Sequence, residues 1–287
     1  MNIIKFLDEF TTERLQTPMA SRRQMFGTLG SISKKAAIAA VPFGMGMMAT
    51  NRASAQSSGD VTGALMLALT LEYLEDEFYQ EALDSGVLSN DAKAEAIYMQ
   101  ISKHESAHVA FLESALGIDD SNRAKPNFDF TVGGLFNPFM DSEVSDISQQ
   151  DAYGQLLILA QAFEDTGVRA YKGQAGNLIM DKDTLTAALQ IHSVEARHAS
   201  EIRRLRGLKG WITRDESGIP DLGNENANGG IDLVYGGEEN VIQGGLNVTT
   251  DIGSGAPFSV ASSTQAYDEP LDGATATTIA NLFIEKN

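Results

Sequence analysis

Between residues 61 and 206 the chain runs through four stretches with apolar residues at helical spacing. Each apolar stripe is broken near its middle by ionisable side chains. The first, VTGALMLALTLEYLEDEFYQEAL (61–83), aligns Leu65, Leu69, Glu72, Tyr79 and Leu83 on one face. The second, near 90–116, opens at a candidate N-cap, Asn90, and aligns Ile97, Ile101, Glu105, His108 and Leu112 before Gly117 ends it. The third, near 150–174, aligns Leu157, Glu164 and Tyr171. The fourth, near 183–206, aligns Leu185, Ala188, His192, Glu195, His198, Ile202 and Leu205, with Gly207 after it. Stripes of this length must be buried against one another, so the expected fold is all-α: a four-helix bundle over 56–210. The short turns SGVLS (85–89) and GNLIMDK (176–182) make helices one and two, and three and four, antiparallel pairs. The stretch 118–148, with Pro126, Gly133-Gly134 and Pro138, is long enough for a crossover between helices two and three.

The interruptions are not random. The chain's 4 histidines all fall in 101–111 and 191–202, and each segment holds a Glu-x-x-His pair, Glu105 with His108 and Glu195 with His198. Positions i and i+3 share a helix face, so four carboxylates (Glu72, Glu105, Glu164, Glu195) and two imidazoles would converge in the bundle. Carboxylates forced together in a core cost several kcal/mol each unless paired or neutralised, by roughly the desolvation of a buried ion. Two divalent cations match the charge of four glutamates. The oxygen–nitrogen donor set suits iron or manganese, and with 0 cysteines no thiolate is available. This is the ligand pattern of di-iron and di-manganese carboxylate bundles.

Other polar residues flank the candidate ligands. Glu75, in the acidic run Glu75-Asp76-Glu77, rivals Glu72 as the first helix's ligand or supports it. Asp165 points about 100° away from Glu164, to a supporting or exposed place. His104 sits one residue off Glu105 and is read as outside the ligand set. His192, on the ligand stripe, is a hydrogen-bonding neighbour, an extra ligand or a core histidine. Tyr79 and Tyr171 are core aromatics or hydrogen-bond partners that orient the carboxylates.

At these residues the chain resembles the ferritin-like superfamily, and within it the exported, desiccation-related type. LEYLEDEFY (71–79), VYGGEEN (234–240) and AYDEPL (266–271) carry the likeness beside the ligand motifs, which span 61–210. Glu72 precedes Glu105 by 33 residues and Glu164 precedes Glu195 by 31, and tyrosine follows each leading glutamate by 7, so the halves read as an internal duplication. The resemblance implies a ferritin-like bundle holding two iron or manganese ions that acts on a small-molecule oxidant, peroxide or dioxygen. Metal storage, or a stress-related scaffold, are the other readings. A rubrerythrin-type iron centre held by cysteine is excluded by composition.

The ends differ in texture. Ser21-Arg22-Arg23-Gln24-Met25-Phe26, two lysines, the apolar run AAIAAVPFGMGMMA (36–49) and Ala53-Ser54-Ala55 resemble a twin-arginine export leader over 1–55. The run is short of the roughly 20 residues of a membrane span, so the expectation is a periplasmic or otherwise extracytoplasmic protein with no stable span once the leader is removed. The remainder is acidic, in a chain of net charge −18, which argues against nucleic acid as a partner. Residues 211–287 form a Gly/Asn-rich C-terminal extension, expected as loops with short strands (IDLVYGG, LNVTT) and a short terminal helix in ATTIANLFI. It would wrap the bundle or mediate contact with a second copy or a surface partner.

Overall fold

The computed structural model describes residues 61–214, 233–251 and 258–285. The export leader expected over 1–55 lies outside the described residues. Four long helices carry the fold: α1 (Val61–Asp84), α2 (Ala92–Leu116), α3 (Gln149–Gln174) and α4 (Lys182–Leu205). α1 packs along α2 and α3 along α4, while α1 also meets α3 and α2 meets α4. The result is the expected four-helix bundle, with the irregular crossover joining α2 to α3. Among the described residues no helix is long and apolar enough to cross a membrane.

Local chemistry sets the helix ends. The N-cap of α2 is Asp91, not Asn90: its carboxylate accepts from the Lys93 and Ala94 N–H groups. Asn90 closes the 3-10 turn Val87–Asn90, and its amide donates to Gln149 Oε1 instead. Ser148 and Asp181 cap α3 and α4 in the same manner, each such cap being worth about 1 kcal/mol. Gly117 ends α2 at φ 68°, a left-handed conformation that other residues rarely adopt.

One end of the bundle is filled by aromatic rings. Phe78, Tyr79, Tyr98, Phe130 and Phe163 belong to the largest core cluster, and Phe78 meets Phe163 edge-on at 5.0 Å. Each such side chain contributes about 1.5–3 kcal/mol by leaving water.

The extension wraps the bundle, and α3 is the element it changes most. Every residue from 159 to 171 is buried, so α3 has no solvent face in that stretch. Val234, Tyr235, Leu271 and Ile279 pack over Ala162. The terminal helix α6 (Gly273–Ala280) lies against both α1 and α3, following the short α5 (Val260–Thr264). Phe283 meets Phe163 edge-on at 4.7 Å, and an isolated bridge joins Phe128 of the crossover to Ile284. The expected helix in ATTIANLFI is α6. LNVTT supplies β2 (Leu246–Asn247), paired antiparallel with β1 (Ile242–Gln243). IDLVYGG was expected as a strand-like piece, but residues 233–235 are helical. That turn puts Val234 and Tyr235 on α3, a packing gain that outweighs their β propensity.

Candidate metal centre

Glu72 from α1, Glu105 and His108 from α2, Glu164 from α3, and Glu195 and His198 from α4 are all buried and meet at one level of the bundle. Their ligand atoms form two groups within which all lie inside 4.8 Å of one another: Glu72, Glu105, His108 and Glu195, then Glu105, Glu164, Glu195 and His198. Glu105 and Glu195 belong to both. The internal duplication is thus visible as geometry, with one Glu–His pair on each side of two shared carboxylates.

The tyrosines cross between the halves. Tyr79 donates to Glu164 Oε1 at 2.5 Å, and Tyr171 donates to Glu72 Oε1 at 2.5 Å. Burial and then the adjacent glutamate charges push both phenols well above their usual range, so each stays a donor. Each carboxylate is left with one oxygen for the centre, as partners that orient ligands require.

Within the cluster, several buried polar atoms face one another unbonded. Glu105 Oε1, Glu164 Oε2, both Glu195 oxygens and His198 Nδ1 have no hydrogen-bond partner. His198 Nδ1 lies only 2.9 Å from Glu105 Oε1. Buried polar atoms are almost always satisfied, and donors of this chemistry converging without bonding are what shared cations would satisfy. The residues therefore fit a metal pair.

Without metal, the imidazoles carry part of the balance. Burial works against a charge on His108, but the Glu72, Glu105 and Glu195 carboxylates around its Nδ1 outweigh it and raise its pKa. Burial likewise opposes His198, yet Glu164 and Glu105 raise it to about 11. Glu72 is lowered, burial being overcome by His108. Burial raises Glu105 to about 7 against the pull of both imidazoles. Burial, then the other carboxylates, pushes Glu195 and Glu75 well above the usual range. Two imidazolium groups cannot balance five carboxylates, so some of these hold protons.

Glu75 is 2 % exposed and joins neither ligand group. Its carboxylate occupies space left by Gly167: a methyl at that position would sit 3.3 Å from Glu75 Oε1 and 3.3 Å from Glu195 Oε2. Gly167→Ala would gain about 1 kcal/mol of helix propensity while crowding the shared Glu195. The expected result is weaker cation binding, by about tenfold or 1.4 kcal/mol, with helix content unchanged, as read by competition with a chelator.

His192 is half-buried beside the Val168 backbone and joins neither group. His104, read from sequence as outside the ligand set, does join neither group, but its ring stacks on His198 at 5.0 Å and its Nδ1 lies 2.8 Å from His198 Nε2. Burial, then His198, lowers its pKa, leaving a neutral ring that can accept from His198 and fix its orientation. The signal was available: His104 is one turn before His108. Asp165 proves to be buried rather than exposed. It pairs with Arg203 and accepts from the extension's Tyr235 at 2.7 Å, a partner no helical periodicity could announce.

A family profile described as a ferritin-like domain matches residues 60–208. No curated protein and no solved structure matches the chain.

Proposed function

The chain belongs to the ferritin-like domain family, and on that premise we propose that it is an exported protein holding two iron or manganese ions for redox chemistry on peroxide or dioxygen. Glu72 and His108 would serve one ion, Glu164 and His198 the other, and Glu105 and Glu195 both. A carboxylate-linked pair of such ions can exchange two electrons with a small oxidant. The chain's own part is positional: Tyr79 and Tyr171 hold the outer carboxylates, His104 steadies His198, and burial of every ligand excludes bulk water. The paired arginines and apolar run of the leader support export, which would place this chemistry outside the cytoplasm.

The observation that carries the reading is the membership of Glu105 and Glu195 in both ligand groups. Elemental analysis of the folded protein tests it. We expect about two iron or manganese ions per chain, the number the four carboxylates neutralise, and loss of both in Glu105→Gln/Glu195→Gln. A folded wild type that binds neither metal would refute the proposal. A scaffold reading would then take its place, favoured by the raised pKa of His108 and His198, since imidazolium groups would be the counter-ions.

A further inference from the structure

The two halves of the bundle correspond residue by residue. Glu72 and Tyr79 lie 92 positions before Glu164 and Tyr171, and Glu105 and His108 lie 90 before Glu195 and His198. The same offsets pair Tyr98 with Ala188 and Leu156 with Ala64. At the first site Tyr98 is fully buried, meets Tyr79 edge-on at 5.0 Å and donates to the Leu156 carbonyl. At the second site an alanine stands beside Tyr171, and another alanine stands where the leucine was. Two small residues replace two large ones at the same end.

The missing volume is a cavity. It is bounded by Ala64, Ala68, Leu112, Tyr171, Ala188 and Ile191, among others, and leaves about 20 Å³ for the centre of a water-sized sphere. About 10–15 Å³ of such space holds one water-sized molecule. Ala68 lies one helical turn before Glu72, Leu112 one turn after His108, and Ile191 one turn before Glu195, so the cavity sits about 5 Å along the bundle from the ligand level. Tyr171 belongs to both, since its ring lines the cavity and its hydroxyl donates to Glu72. Half-buried Ala68, Phe111 and Gln174 are the lining residues nearest solvent.

We propose that this cavity is the binding place of dioxygen on its way to the carboxylate level. The proposal rests on the metal-centre reading and adds the substrate to it. The lining is almost wholly carbon: the Tyr171 hydroxyl is committed to Glu72, and only Thr184 and Gln174 add other polar side chains. Peroxide entering would lose more hydrogen bonds to water than these offer in return, whereas dioxygen has none to lose. Apolar cavities of this kind stay dry and take up apolar gases.

Xenon, an apolar probe of dioxygen sites, tests the cavity without reference to metal. Crystals of the full chain under xenon pressure should show one xenon atom beside Tyr171 and Ala188. That atom should be lost in Ala188→Phe and in the milder Ala64→Leu, either of which can be used if the other fails to fold. In iron-loaded protein the same variants should slow oxidation by dioxygen about tenfold or more, the scale of a steric change in an apolar pocket, and leave oxidation by peroxide unchanged. Absence of xenon in the wild type overturns the proposal, as does equal slowing with both oxidants. Xenon bound in a chain that takes up no metal refutes the metal-centre reading and the dioxygen role with it, while showing that the cavity itself binds an apolar gas.

Discussion

Raising the pH from about 5 to about 8 is expected to destabilise the metal-free protein, and adding manganese to restore it. The sign follows from the buried glutamates. Glu105 moves from an ordinary 4.5 to about 7 on folding, so its contribution is complete below 4.5 and is lost as pH rises through 7. The change corresponds to on the order of 3 kcal/mol. Glu195 and Glu75 are displaced in the same direction, by burial and then by the neighbouring carboxylates. His198, raised from 6.5 to about 11, contributes fully below 6.5 and loses its contribution as pH rises through 11. Glu238 in the extension is also raised to about 7 by burial, against Arg169. Glu72 is lowered; its contribution is present above 4.5 and fades only at lower pH, outside the window. Among the ligand groups, those displaced between pH 5 and 8 therefore share one sign; His104 and His192, lowered by burial, oppose it but are outnumbered by the raised glutamates.

Metal reverses the trend because binding displaces these protons. Affinity for the cation should rise with pH as stability of the chelated protein falls. At a hundredfold excess over the dissociation constant, two sites add about 5 kcal/mol, or roughly 10–20 °C in melting temperature for a domain of this size. Thermal unfolding with a chelator or with manganese, at several pH values between 5 and 8, reads both effects. A chelated protein whose melting temperature is flat or rising over that range would contradict the charge assignment. A metal increment that shrinks with pH would contradict the ligand assignment.

The bundle and its six converging residues were legible because both follow from one period. Apolar residues at helical spacing locate the helices, and the same spacing places Glu105 with His108 and Glu195 with His198. The gain and the failure have the same source on α3. Its Glu164 face could be found, but Asp165 and Arg169 occupy faces that a bundle alone would leave in water. They are buried because a second layer, far along the chain, covers them. The sequence 156–171 does hold a trace of this: besides Tyr171 its only ionisable residues are Glu164, Asp165 and Arg169, too few for a solvated face. The helical turn at 233–235 escaped for a related reason, since its conformation is set by what Tyr235 reaches: Asp165, to which its hydroxyl donates, and Gln161, whose amide donates to it.

Arg169→Met is expected to cost about 3–5 kcal/mol of stability, the loss typical of breaking a buried ion pair from one side, while leaving metal content unchanged. Arg169 is 1 % exposed and is the point where the extension fastens to α3. It pairs with Glu238 at 2.8 Å and donates to the carbonyls of Val234, Gly236 and Glu269. Its own carbonyl accepts from the Leu271 N–H at 3.0 Å. One turn on, Gly173 lets the same strand pass so closely that an added methyl would overlap the Leu271 carbonyl. Methionine keeps the volume but leaves Glu238 buried, with Glu238 Oε2 already lacking a partner. The loss should be smaller near pH 5, where Glu238 is neutral, and should shrink in Arg169→Met/Glu238→Gln, where no uncompensated charge remains. Denaturant midpoints at two pH values measure this, and proteolysis within 233–285 should accelerate alongside. A loss below about 1 kcal/mol, the worth of an exposed pair, would mean that the apolar contacts of Tyr235, Leu271 and Ile279 hold the extension without the clamp. A loss of bound metal would mean instead that the clamp sets the position of Glu164, five residues earlier on the same helix.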